Sequence, residues 1–181
     1  MKMFTRFLAV SLFAISAFAA DAPAPAAAAQ QQPAVGSPAP AFSLPSQEGS
    51  AVSLDQFHGK WVVLYFYPKD FTNGCTVEAH NFQRDLAEYE KLNAVIVGVS
   101  AQDADSHQKF CTKEGLSFKL LADTDHKVSE TYDSTMPVVK LSSRHTFLID
   151  PSGVVRKSYM DVKPDVHSAE VLADLTAFEK K

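Results

Sequence analysis

Hydrophobic and polar positions divide the chain into alternating strands and helices. Trp61-Val62-Val63-Leu64-Tyr65-Phe66-Tyr67 carries no charge and is rich in β-branched and aromatic residues, the pattern of a strand buried on both faces. Pro68 ends it. Cys75, Ala79, Phe82, Leu86 and Tyr89 then recur at spacings of four, three, four and three. This predicts an amphipathic helix with Cys75 in its first turn. Ala94 to Ser100 reads as a second buried strand. Asp103 or Asp105 can cap a helix that stops at Gly115. Phe118 to Leu121 is a short third strand, and Asp125 to Tyr132 a short helix with Asp123 or Thr124 near its start. Thr146-Phe147-Leu148-Ile149, the turn Asp150-Pro151-Ser152-Gly153 and Val154 to Tyr159 form a hairpin. Val166 to about Lys180 closes the chain as a helix with Val171, Leu172, Leu175 and Phe178 on its apolar stripe. Upstream, Phe42-Ser43-Leu44 and Val52-Ser53-Leu54 alternate around Gln47-Glu48-Gly49-Ser50, which suggests an N-terminal β-hairpin, and Asp55 to Gly59 a single helical turn. The class is α/β: a mixed β-sheet flanked by helices on both faces.

The first residues depart from this pattern. Lys2 and Arg6 precede an apolar stretch from Phe7 to Phe18, and Ala17-Phe18-Ala19 at its end is a small-residue cleavage site, so residues 1–19 read as a signal peptide cleaved before Ala20. The stretch is too short to cross a bilayer comfortably, and removal is expected rather than anchoring. Residues 20–35 are mostly Ala, Pro and Gln and read as a flexible linker. Residues 36–181 are then one domain. The expected location is periplasmic. Cleavage takes the net charge from −4 to 15 − 21 = −6. An acidic chain without a basic cluster is a poor partner for nucleic acid, and no membrane contact is expected after cleavage.

Cys75 is the candidate chemistry. A thiol in the first helical turn sits against unpaired backbone N–H groups and the positive end of the helix dipole, which favour the thiolate. One helix end supplies only about 0.3–1 kcal/mol, so a second positive group is expected beside it. A small hydrophobe is the plain alternative reading of a cysteine there.

Pro68-x-x-x-Thr72-x-x-Cys75, after an apolar strand and opening a helix, resembles the active-site signature of the peroxiredoxins. Tyr65-Phe66-Tyr67-Pro68-Lys69-Asp70 and Gly74-Cys75-Thr76-x-Glu78 are most similar to the bacterioferritin-comigratory branch. The resemblance covers residue 36 to the C-terminus. It implies a thioredoxin-like fold and supplies the strand order, which the pattern alone does not fix. It also implies a thiol peroxidase: Cys75 attacks hydrogen peroxide or an organic hydroperoxide, Thr72 hydrogen-bonds thiolate and peroxide, Pro68 shapes and shields the pocket, and Arg144 is the second positive group. Glu78 matches a family position that orients its neighbours; a solvated first-turn glutamate explains it as well.

The resolving cysteine of that branch commonly stands five positions after the first, where this chain has His80. Some members carry it on the helix after the next strand, and by that resemblance Cys111 resolves Cys75 through an intramolecular disulfide. A bridge closing about 36 residues restrains the unfolded chain by roughly 3.8 kcal/mol, against a few for fraying a helical turn. The resemblance implies a thioredoxin-like dithiol reductant and a monomer. One alternative is a one-cysteine peroxidase resolved by an outside thiol. Another is a non-catalytic module with a structural disulfide, the usual fate of a cysteine pair in an oxidising compartment. A thiol-disulfide oxidoreductase would want CxxC, which is absent. The six histidines lack ligand spacing, and no nucleotide or haem motif occurs, so no metal and no organic cofactor are expected.

Overall fold

A computed structural model of the chain describes residues 32–136 and 138–180. The expected signal peptide and most of the linker lie outside them. The chain order is β1 (Ser43–Pro45), β2 (Ala51–Ser53), a 3₁₀ turn (Leu54–Phe57), β3 (Trp61–Phe66), α1 (Asn73–Lys91), β4 (Ala94–Ser100), α2 (Ala104–Glu114), β5 (Lys119–Ala122) and α3 (Lys127–Thr131). It continues through β6 (Thr135–Met136), β7 (Leu141–Ser142), β8 (Thr146–Ile149), β9 (Val155–Tyr159) and α4 (His167–Glu179). Five strands form the central sheet in the order β5-β4-β3-β8-β9. β3, β4 and β5 are parallel, and β8 runs antiparallel to both β3 and β9. β1 and β2 form the expected N-terminal hairpin.

The period-two alternation of β3 separates two cores. Trp61, Val63, Tyr65 and Tyr67 face α1, α2 and α4, where Cys75, Phe82, Phe110, Cys111, Val171 and Leu175 are buried with them. Val62, Leu64 and Phe66 face the other way, against the N-terminal hairpin, Phe147, Ile149 and Tyr132 at the end of α3. Both cysteines therefore belong to one core, on the same side of the sheet.

The helix ends follow local chemistry. Asp103 caps α2 by accepting from Ser106 N at 2.8 Å, and Gly115 stops it in the left-handed conformation at φ 68°. α3 is shorter than its sequence suggests because His126 turns left-handed at φ 62°, while the Asp123 carboxylate accepts from Val128 N and Ser129 N. At the opposite end of the sheet from Cys75, the incoming chain is fastened to the β8–β9 turn: Gly36 N donates to Val155 O and Ala39 N to Gly153 O, both at 2.8 Å. Pro33 is already buried, and Ala34 O accepts from Ser37 N and Ser37 Oγ, so the fold begins just ahead of residue 36.

Candidate active site

α1 begins two residues before the cysteine. Thr72 is the N-cap, and Thr76 N donates to Thr72 O at 2.9 Å, closing the first helical bond. Asn73, Gly74 and Cys75 thus present the N–H groups that have no acceptor within the helix. The preceding turn is held by an unusual conformation: Phe71, a large residue, stands at φ 60°. Its half-exposed ring packs edge-on against Phe110 of α2 at 5.1 Å, with Lys113 Nζ 5.4 Å from its centre.

Arg144 reaches the cysteine from the segment between β7 and β8. Its Nη2 donates to Cys75 Sγ at 3.5 Å, and Nη1 donates to Glu78 Oε2 in an ion pair. Gly74 makes room for it, since a Cβ there would lie 3.3 Å from Arg144 Nη2. Burial opposes the guanidinium charge, but the Glu78 carboxylate and the Cys75 sulfur outweigh it and raise the arginine's pKa. The positive group expected from the sequence is thus on the sulfur. Pro68 stands half-buried where β3 gives way to the turn. Thr72 is exposed, and its hydroxyl donates to Lys69 O at 3.0 Å.

Glu78 is buried at 1 % exposure, on the face of α1 that also carries Cys75 and Ala79. Burial pushes its carboxyl up to about 7, with Arg144 pulling the other way. Its second oxygen, Oε1, is buried without a hydrogen-bond partner, as is the hydroxyl of Tyr65 on β3. The solvated-glutamate reading does not hold.

Cys111 lies near the end of α2, buried, and both thiols are free. Burial, then the charges of Asp70 and Glu48, push the Cys111 thiol up to about 11. An open cavity of about 250 Å³, lined by Gln47, Glu48, Gln108 and Thr112 among others, borders it. One constellation between the two cysteines has no counterpart among the residues expected from the sequence. Asp70, from the turn before α1, is buried against Ser106 and His107 of α2. Its signal was a histidine on the face of α2 that also carries Phe110 and Cys111. Among the described residues no group of three His, Cys, Asp or Glu side chains is placed to hold a metal.

The AhpC/TSA family matches residues 35–158. The chain is 40% identical over 157 residues to Peroxiredoxin Bcp of Bacillus subtilis, covering 81% of this chain and 98% of that protein. A solved cysteine-to-serine mutant of Xylella fastidiosa PrxQ superposes with a TM-score of 0.78 at 32% identity, over 82% of this chain and 99% of that one. Xanthomonas campestris peroxiredoxin Q has been solved with either of two cysteines, 36 positions apart, replaced by serine; both forms give a TM-score of 0.73 at 36% identity over 76% of this chain, and over 90% and 91% of theirs.

Proposed function

The chain belongs to the AhpC/TSA family as a peroxiredoxin, a thiol peroxidase, and from that premise we propose a two-cysteine cycle: peroxide oxidises Cys75, Cys111 resolves it, and a thioredoxin-like dithiol returns the electrons. The observation that carries this reading is the Arg144 guanidinium donating to the sulfur of a cysteine in the first turn of a helix.

The Cys75 thiolate attacks the terminal oxygen of a peroxide. An S–O bond forms as the O–O bond breaks, sulfur loses two electrons, and the departing oxygen takes a proton to leave as water or an alcohol. Negative charge grows on that oxygen. The Cys75 backbone N–H, without a helical acceptor, and the remaining guanidinium N–H groups of Arg144 are the donors for it. The Thr72 hydroxyl donates its hydrogen bond to Lys69 O, so its oxygen meets the peroxide as an acceptor, orienting the substrate through the peroxide O–H. Pro68 bounds the pocket and keeps water from the thiolate. The Cys111 sulfur then displaces the oxygen of the sulfenic acid, releasing water and leaving a disulfide. Cys75 and Cys111 stand 36 positions apart, the separation of the two cysteines replaced in the Xanthomonas campestris structures. Cys75 is held in the first turn of α1 and Cys111 near the end of α2, so the bridge forms through local unfolding of these helix ends.

The full reading is a periplasmic monomer, with residues 1–19 removed and the chain from residue 20 to the packed Pro33 as its tether. The N-terminal mass of protein released from the periplasm, expected to begin at Ala20, tests the export. The cycle is tested by treating the pre-reduced protein with one equivalent of hydrogen peroxide, blocking free thiols with iodoacetamide and mapping peptides by mass. A Cys75–Cys111 bridged peptide within seconds is the expected result. Cys75 alone oxidised to sulfenic or sulfinic acid would leave the one-cysteine alternative, and two alkylated thiols would overturn the peroxidase cycle.

A further inference from the structure

The turn that presents Cys75 and the helix that carries Cys111 are fastened together by a buried polar cluster. Asp70, five residues before Cys75, is 3% exposed, and His107, one helical turn before Cys111, is 0% exposed. The Asp70 carboxylate accepts from Tyr67 Oη at 2.7 Å, from Ser106 Oγ at 2.7 Å and from His107 Nδ1 at 2.9 Å. Its backbone N–H donates to Gln102 Oε1 at 3.3 Å, which also accepts from Ser100 Oγ at 2.8 Å. The other ring nitrogen, His107 Nε2, lies 3.2 Å from Leu121 O on β5. Tyr67 Oη also lies 3.3 Å from His107 Nδ1, so the imidazole is held on both sides, by Asp70 and Tyr67 at Nδ1 and by β5 at Nε2. One buried Asp–His pair thus ties together the end of β3, the active-site turn, the first turn of α2 and β5.

The far end of α2 is held differently. His80 Nε2 meets Glu114 Oε2 at 3.0 Å with the histidine half exposed, and Gln83 bonds Ser117 at the surface. Exposed contacts of this kind contribute little, whereas a buried carboxylate resists losing its hydrogen-bond partners because its charge is then left uncompensated. Cys111 stands between these firm and loose ends.

We propose that Asp70 and His107 are positioning residues for the resolution step: their buried hydrogen-bonded pair locks the Cys75 turn to the Cys111 helix, and it must separate before the two sulfurs can meet. The lock therefore sets how long the Cys75 sulfenic acid persists, and with it the exposure of that sulfur to a second peroxide. This rests on the two-cysteine reading.

The test uses the full, pre-reduced chain mixed with one equivalent of hydrogen peroxide, quenched at intervals and resolved by mass into thiol, sulfenic acid and disulfide. Ser106→Ala removes one hydrogen bond to Asp70, and Tyr67→Phe removes another together with the 3.3 Å contact of Tyr67 Oη to His107 Nδ1, while both leave the Asp70–His107 contact in place. Each variant should convert sulfenic acid to disulfide about 10-fold faster or more, the equivalent of one hydrogen bond to a charged group. The preceding formation of sulfenic acid should stay within about twofold of the unmodified protein on that basis, and excess peroxide should yield less sulfinic acid. An unchanged or slower disulfide step in both variants would overturn the lock, because fraying of the last turn of α2 would then suffice. Both steps changing together would reduce these residues to a structural role and also overturn it. Failure of the unmodified protein to form the disulfide strikes the two-cysteine reading itself, an outcome visible without any variant.

Discussion

Replacing Glu78 by Gln should change how the stability of the protein depends on pH. The carboxyl goes from about 4.5 in the unfolded chain to about 7 when buried behind Arg144. Between these values the folded state holds a proton that the unfolded state has lost. The group's stabilising contribution is therefore complete below 4.5 and disappears as pH rises through 7. Over pH 5 to pH 8 the loss amounts to about 2–3 kcal/mol. For a domain of this size that corresponds to roughly 8 °C in melting temperature. The assay is urea or thermal unfolding of both proteins at pH 5 and at pH 8, in matched ionic strength. Other groups contribute to each profile, so the quantity of interest is the difference between the two proteins. Glu78→Gln should remove most of the decline, and its advantage should appear only on the alkaline side. Parallel profiles, within about 0.5 kcal/mol, would refute the reasoning, because the carboxyl would then ionise alike in folded and unfolded chains.

Arg144→Met should slow the oxidation of Cys75 by peroxide roughly 10²–10³-fold while leaving the fold intact, as measured by stopped-flow competition for hydrogen peroxide. Gly74→Ala should separate stability from activity. Alanine stabilises a helical position by about 0.5–1 kcal/mol over glycine, yet its Cβ would press on Arg144 Nη2 at 3.3 Å. Melting temperature should rise and peroxide turnover fall. In a Cys75→Ser background, alkylation of Cys111 by iodoacetamide should accelerate about tenfold per pH unit up to about pH 10, because burial holds that thiol near 11.

The central elements were legible because their patterns are local. The run from Trp61, the Ala94–Ser100 strand and the 146–159 hairpin each carry their own periodicity, and each appears in the structure. The Cys75 helix starts at Asn73 with Thr72 as its N-cap, which puts Cys75 in the first turn as the spacing of its apolar positions predicts. The strands β6 and β7 went unseen; two residues each are too few for an alternation to register. Arg144 was visible only through the family resemblance, since nothing around it says that a segment 69 residues downstream will lie on Cys75. Asp70 and His107, 37 residues apart, pair through tertiary packing that no local pattern encodes. Glu78 and His107 share one missed cue. Each is a polar residue on the apolar face of its helix, and each proves to have a buried polar partner, Arg144 for Glu78 and Asp70 for His107.

The anchorage of residues 36–39 to the β8–β9 turn gives the molecule two poles. β3 runs from that end toward the Cys75 turn, so the point of chain entry and the peroxide mouth lie about a strand length apart, on the order of 20 Å. Anything joined ahead of Gln32, whether a fusion partner, a bead or a lipid, would pull on the pole away from the thiol. A film of the protein grafted to an electrode or resin through its N-terminal side would present its reactive sulfurs outward, toward the bulk solution that brings both peroxide and reductant.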